Sequence, residues 1–174
     1  MKTLFTFLLF VLPITIGAQT FKTATEYNDY IVGLQNRIGE KMISFNTEVS
    51  SEGATYESVN VELNALIEET DKVIKEIEKL PAFEKNTSLR NAAKDLFLFY
   101  EKTIKEDYTK MINLIYNTDL TEEDLAQLQA ILDKVTNDEK VIDERFQVEQ
   151  EQFAAKYGFT LEKNELQEQL DSEE

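Results

Sequence analysis

Apolar residues recur along most of this chain at steps of three and four, the spacing of one face of an α-helix. Tyr27, Ile31, Leu34, Ile38, Met42, Phe45 and Val49 follow that step and predict a first helix from Thr25 to Ser50. Gly33 and Gly39 lie inside it, each costing about 1 kcal/mol relative to Ala, so either close helix contact or a soft spot is expected there. Residues 50–54 read as a turn. Val59, Leu63, Leu66, Thr70, Val73, Ile77 and Leu80 then step 4, 3, 4, 3, 4, 3, a heptad seam for a second helix from Tyr56 to Leu80. Thr70 is its one polar member, and its hydroxyl has the preceding turn within reach. Pro81 ends the helix, because it lacks an N–H and disfavours helix in the residue before it. Phe83 is expected to plug the end of the fold.

A third helix is predicted from Leu89 to Asn117, with Thr87 or Ser88 of Asn86-Thr87-Ser88 as its N-cap. Asn86-Thr87-Ser88 is also formally a glycosylation acceptor. The main face of this helix reads Leu89, Ala93, Leu96, Tyr100, Ile104, Tyr108, Met111 and Ile115, with Phe97 at the side. Leu96-Phe97-Leu98-Phe99-Tyr100 goes all the way round the axis at ~100° per residue, so this waist must be packed on more than one side. On a regular wheel Leu98, Ile112 and Tyr116 fall opposite the main face and Phe99 flanks it. They form a second apolar stripe, interrupted by Lys102 and Lys105, that neighbouring elements cover or that serves as a candidate partner surface.

Thr121-Glu122-Glu123-Asp124 has the form of a capping box, with acids at the positive end of the helix dipole. The fourth helix carries Leu125, Leu128, Leu132, Val135, Ile142, Phe146, Phe153 and Tyr157, interrupted by Glu139 and Gln150, and Gly158 is a natural stop. Four helices joined by short turns predict an all-α fold, an up-down-up-down four-helix bundle with left-handed, coiled-coil-like packing. The turn signals at Gly53, Pro81 and Asp119 argue against one long coiled coil.

The N-terminus departs from this pattern. Lys2 is followed by an apolar run from Leu4 to Ile16, with Pro13 near its end and small residues before Gln19. This is the form of a secretory signal peptide, and it is shorter than the ~20 residues a membrane span needs. The predicted organisation is a signal peptide over 1–18, a helical bundle over 19–158 and an acidic tail over 159–174. The tail, with Leu161, Leu166 and Leu170, either docks as a short helix or frays. After cleavage the chain keeps about 155 residues, enough for one core. It would hold no stable membrane insertion, and with no Cys it has no lipid anchor of that kind. The expected location is periplasmic or extracellular.

Past residue 18 there are 17 basic residues against 34 acidic ones, a net charge of −17. That balance argues against nucleic acid and against anionic membrane surfaces. It suits a soluble, self-repelling surface and admits cationic partners. The chain has no Cys and no His. Ser-His-Asp and Cys-His nucleophile systems, thiolate or imidazole zinc sites and His-ligated haem are therefore all excluded. Glu68, Glu69 and Asp71, and Glu122, Glu123 and Asp124, are acid clusters of the kind that runs hydrolysis or holds calcium. Their place on solvated helix faces or at a cap favours no such role. No catalytic, cofactor-binding or metal residue is assigned. Tyr100, Tyr108 and Phe97 mark a candidate pocket between helices.

One stretch carries a resemblance. Glu26-Tyr27-Asn28-Asp29-Tyr30-Ile31-Val32, followed by Leu34-Gln35, resembles the opening of a leptospiral-type family of small exported all-helical surface proteins found across several bacterial groups. The resemblance implies export, a helical fold and no known activity, and it transfers no functional residue. The sequence thus points to a non-enzymatic exported protein, a monomer or homodimer, that binds another macromolecule at the cell envelope. The alternative is a carrier of a small apolar ligand held between the helices.

Overall fold

The structure, a computed structural model, describes residues 20–162. The expected signal peptide over 1–18, and the acidic tail from residue 163 on, lie outside those residues. Four helices make up the fold: α1 (Ala24–Val49), α2 (Tyr56–Lys79), α3 over residues 88–115 and α4 (Glu122–Tyr157). No strand occurs among the described residues.

The helix ends follow from local chemistry. Thr23 Oγ1 accepts the Glu26 N–H at 3.1 Å and starts α1. Thr55 and Ser58 form a reciprocal capping box on α2, each side chain accepting the other's N–H at 3.0 Å. Thr121 and Asp124 do the same for α4, at 3.2 and 2.9 Å. Gly158 ends α4 with φ +74°, and its N–H and that of Phe159 both donate to the Ala154 carbonyl. The start of α3 differs from expectation in its bonding. Thr87 holds the N-cap position as expected but makes no side-chain cap bond; Asn86 Oδ1 instead accepts the Ser88 N–H at 2.9 Å. Asn86 also closes a tight turn with Phe83 through two backbone bonds of 2.7 and 3.1 Å. That closure holds its side chain over the first turn. The turn puts Glu84 (φ +47°) and Lys85 (φ +68°) in the left-handed region.

One hydrophobic core draws on all four helices. Every member of the α2 seam, from Val59 to Leu80, is buried. Thr70 donates its hydroxyl back to the Leu66 carbonyl at 2.8 Å, which lets a polar residue sit there without an orphaned group. Phe83 packs on Tyr27, Phe153 and Tyr157 and closes one end. Gly33 is exposed, and a Cβ added there meets nothing within 4 Å, so it is no site of close helix contact.

Surface ion pairs link successive helices. Arg37 of α1 reaches Glu69 and Glu76 of α2 at 2.7 and 2.9 Å. Lys94 and Lys105 of α3 reach Glu78 and Asp71 of α2 at 2.8 and 2.7 Å. On α4, Lys134 reaches Asp107 at 2.7 Å and Arg145 reaches Asp95 at 3.0 Å, both on α3.

Two helices turn inward a different row from the one expected. Within α3, Ser88–Lys102 and Thr109–Ile115 are α-helical, but Thr103–Tyr108 between them is a π-turn. Thr109 donates its hydroxyl to the Ile104 carbonyl, five residues back, at 3.4 Å. A π-turn holds one extra residue, and each residue is worth ~100° of rotation, so everything downstream is turned by that angle. The inward row becomes Ile104, Tyr108, Ile112 and Tyr116. Ile112 is 3% exposed, whereas Ile115, expected on the main face, is 45% exposed.

On α4 the core-facing row is Ile131, Val135, Ile142, Phe146 and Phe153, spaced 4, 7, 4, 7, all buried except the half-buried Ile142. Leu125 and Leu132, expected in the seam, form a neighbouring seven-residue row and stay 53% and 45% exposed.

Candidate functional site

The stripe expected on α3 does not assemble. Leu98 is 37% exposed and Phe99 is half-buried, but Ile112 is a core residue and Tyr116 packs against the core. The π-turn lies between Leu98 and Ile112 and rotates them apart. Tyr116 meets Tyr56 edge-on at 5.9 Å, and the Tyr56 hydroxyl donates to Asn113 at 3.0 Å. The three residues of the candidate pocket are set in or against the core. Phe97 is wholly buried, Tyr100 is half-buried, and Tyr108 stacks on Phe45 with centroids 5.7 Å apart.

A different feature crosses the fold where α1, α3 and α4 meet. Asn28 and Gln35 of α1 are buried polar residues seven apart, on the same row as Met42 and Val49. Asn28 Oδ1 accepts from Gln150 of α4 at 2.9 Å. Gln35 hydrogen-bonds Tyr100 of α3, which lies near Glu139 and Asp143 of α4. Burial pushes the Tyr100 phenol far above its ordinary value, the charges of Glu139 and Asp143 push the same way, and the Gln35 bond opposes them. The phenol therefore stays protonated and acts as a hydrogen-bonding group.

This polar layer explains why Glu139 and Gln150 interrupt the α4 pattern. Sequence reasoning located those two but missed Asn28 and Gln35. The available signal was their heptad spacing in line with Met42 and Val49.

α4 rests chiefly on α3 and touches α1 only sparsely. The α1–α4 seam is thus polar in its middle and weakly closed. Along α4, Leu125 and Leu132 are exposed on the flank of the buried row, and Val141 and Val148, 69% and 49% exposed, lie on the outward face.

At the other end of the fold, Phe21, Tyr27, Tyr30, Phe83, Phe153 and Tyr157 pack ring against ring, with centroids 4.7 to 5.9 Å apart. Burial pushes the Tyr27 phenol up to about 12 against the pull of the Arg90 guanidinium, and its hydroxyl donates to the Pro81 carbonyl at 3.0 Å. Three members of the acid clusters named above serve structure. Glu69 pairs with Arg37, Asp71 with Lys105, and Asp124 closes the α4 cap. Among the described residues, no three acids gather to hold a metal ion, and no helix is long and apolar enough to cross a membrane.

Compared with protein-family models, with curated proteins and with solved structures, the chain matches none.

Proposed function

We propose that this is an exported, non-enzymatic helical-bundle protein of up-down-up-down topology that binds another macromolecule at the cell envelope. The observation that carries the reading is the solvent-facing apolar row of α4, Leu125 and Leu132, on a chain of net charge −16. Clustered exposed apolar surface marks interaction sites, and this row, unlike Val141 and Val148, lies beside the sparsely closed α1–α4 seam. Topology is supported by the order of the ion pairs, which runs oppositely on neighbouring helices: Lys94 with Glu78 but Lys105 with Asp71, and Lys134 with Asp107 but Arg145 with Asp95. Export is supported by the basic-then-apolar run that ends before Gln19 and by the resemblance of the Glu26–Gln35 stretch. The carrier reading has less support, because Phe97 at its centre is part of the packed core.

Capture from envelope extract tests the proposal. The protein, purified from cells expressing the full chain, is expected to retain a partner at low salt. A partner released at high salt is held by exposed charge, since screening weakens such contacts, and one that survives is held by apolar contact. No capture at either salt would refute the reading.

A further inference from the structure

We propose that the half of the α1–α4 seam nearest the α3–α4 turn docks a cationic amphipathic helix. The proposal rests on the macromolecule-binding reading and names the chemistry of the partner. Leu125 and Leu132 are seven residues apart on α4, two turns or ~10.5 Å, on one line. That spacing matches the i, i+7 anchors of a helix laid in a groove.

The Asn28–Gln150 bond sets the level of α1 against α4. Counting away from it in opposite directions brings Asn46 level with Leu132 and Val49 level with Gln129. The side of α1 that meets this row is the Met42–Val49 line, whose two apolar members are half-buried against the core. The α1–α4 contact is sparse, so the exposed Leu125–Leu132 row of α4 is left to an occupant, with the end of α1 alongside Leu132.

Charge selects the occupant. Residues 119–139 hold seven acids and one base, Lys134, and that lysine is paired to Asp107. Glu122 and Asp133 lie on the flank of the Leu125–Leu132 row, both exposed, and Glu139 and Asp143 continue the row beyond it. Lys140, further along the same flank, is the nearest base there. A partner helix with an apolar stripe and lysines or arginines beside it meets apolar surface with apolar surface and acid with base. A second copy of this chain would bring two acidic rims together, which like-charge repulsion disfavours. Val141 and Val148 make a ready control. They are as exposed, also seven apart, and on the opposite face of the same helix.

The test uses a labelled 18-residue Leu/Lys amphipathic helix and a scrambled peptide of the same composition, titrated into the full-chain protein by fluorescence anisotropy. The amphipathic peptide is expected to bind about tenfold more tightly than the scrambled one. Leu125→Ser with Leu132→Ser is expected to abolish that difference, and Val141→Ser with Val148→Ser to preserve it. Glu122→Lys with Asp133→Lys, which leaves the apolar row intact, is expected to weaken the amphipathic peptide about tenfold at low salt. Equal binding of the two peptides, or equal losses in the two serine pairs, would overturn the proposal. An envelope partner captured equally well by wild type and by the Leu125/Leu132 pair would overturn this surface and leave the broader reading standing. A wild-type protein that captures nothing would overturn the broader reading itself.

Discussion

Replacing Ile112 and Ile115 one at a time by Ala decides whether the α3 register is right. Ile112 is 3% exposed and belongs to the core, whereas Ile115 is 45% exposed. A buried Ile→Ala change loses the transfer energy of the removed carbons and leaves a cavity, about 2–5 kcal/mol in all. Ile112 lies near the end of α3, where the surroundings can partly relax, so about 3 kcal/mol is expected. For a chain of this size that lowers Tm by roughly 6–12 °C. Ile115→Ala removes a side chain already half in water, with little cavity, and is expected to cost under about 1.5 kcal/mol. Urea unfolding followed by circular dichroism at a constant slope gives both numbers. A regular α-helix without the π-turn predicts the reverse order. If Ile115→Ala is the costlier substitution, the π-turn account of α3 is wrong.

Other substitutions probe single features. Gly33→Ala meets open space inside α1 and is expected to raise stability by about 0.5–1 kcal/mol in thermal melts. Glu84→Asn with Lys85→Gly places residues that tolerate left-handed backbone where φ is +47° and +68°, and is expected to raise stability by about 1 kcal/mol. Asn86→Ala removes the acceptor for the Ser88 N–H and is expected to cost about 1 kcal/mol. The Arg37 hydrogen bond holds the Glu76 carboxyl below its ordinary value of 4.5. A depressed carboxyl stabilises the fold above that value, and the contribution is lost as pH falls through the lower folded value. The stability difference between wild type and Arg37→Met is therefore expected to shrink as pH falls from neutral to below 4.5. A difference that grows on acidification would contradict that pairing.

Much of the fold was legible in the sequence because its boundaries are chemical. Thr121 with Asp124, Gly158 and Pro81 mark ends that no long-range contact needs to specify. The α2 seam was legible for a second reason, since a strict 4, 3 step admits only one inward row. The α3 register was not, because Met111 with Ile115 and Ile112 with Tyr116 are both apolar pairs. Periodicity offers two faces there, and the extra residue in Thr103–Tyr108 chooses between them without leaving a compositional mark. The same ambiguity affected α4, where Leu125 with Leu132 and the Ile131–Val135 row are both heptad-spaced. At Asn86-Thr87-Ser88 three successive residues can cap a helix, and the Phe83–Asn86 turn settles which one makes the side-chain bond. The polar layer was half legible. Glu139 and Gln150 stand out as breaks in a pattern, whereas Asn28 and Gln35 gain meaning only from the helices they face.

Amide nitrogen–proton correlation NMR of the full chain, titrated with the Leu/Lys amphipathic helix, locates the surface that the peptide occupies. Docking at the α1–α4 seam concentrates the shift changes at 42–49 on α1 and at 122–139 on α4 and leaves Leu98, Phe99 and the outward Val141–Val148 face unmoved. Changes centred on Leu98 and Phe99, or spread evenly over every acidic face, would contradict it.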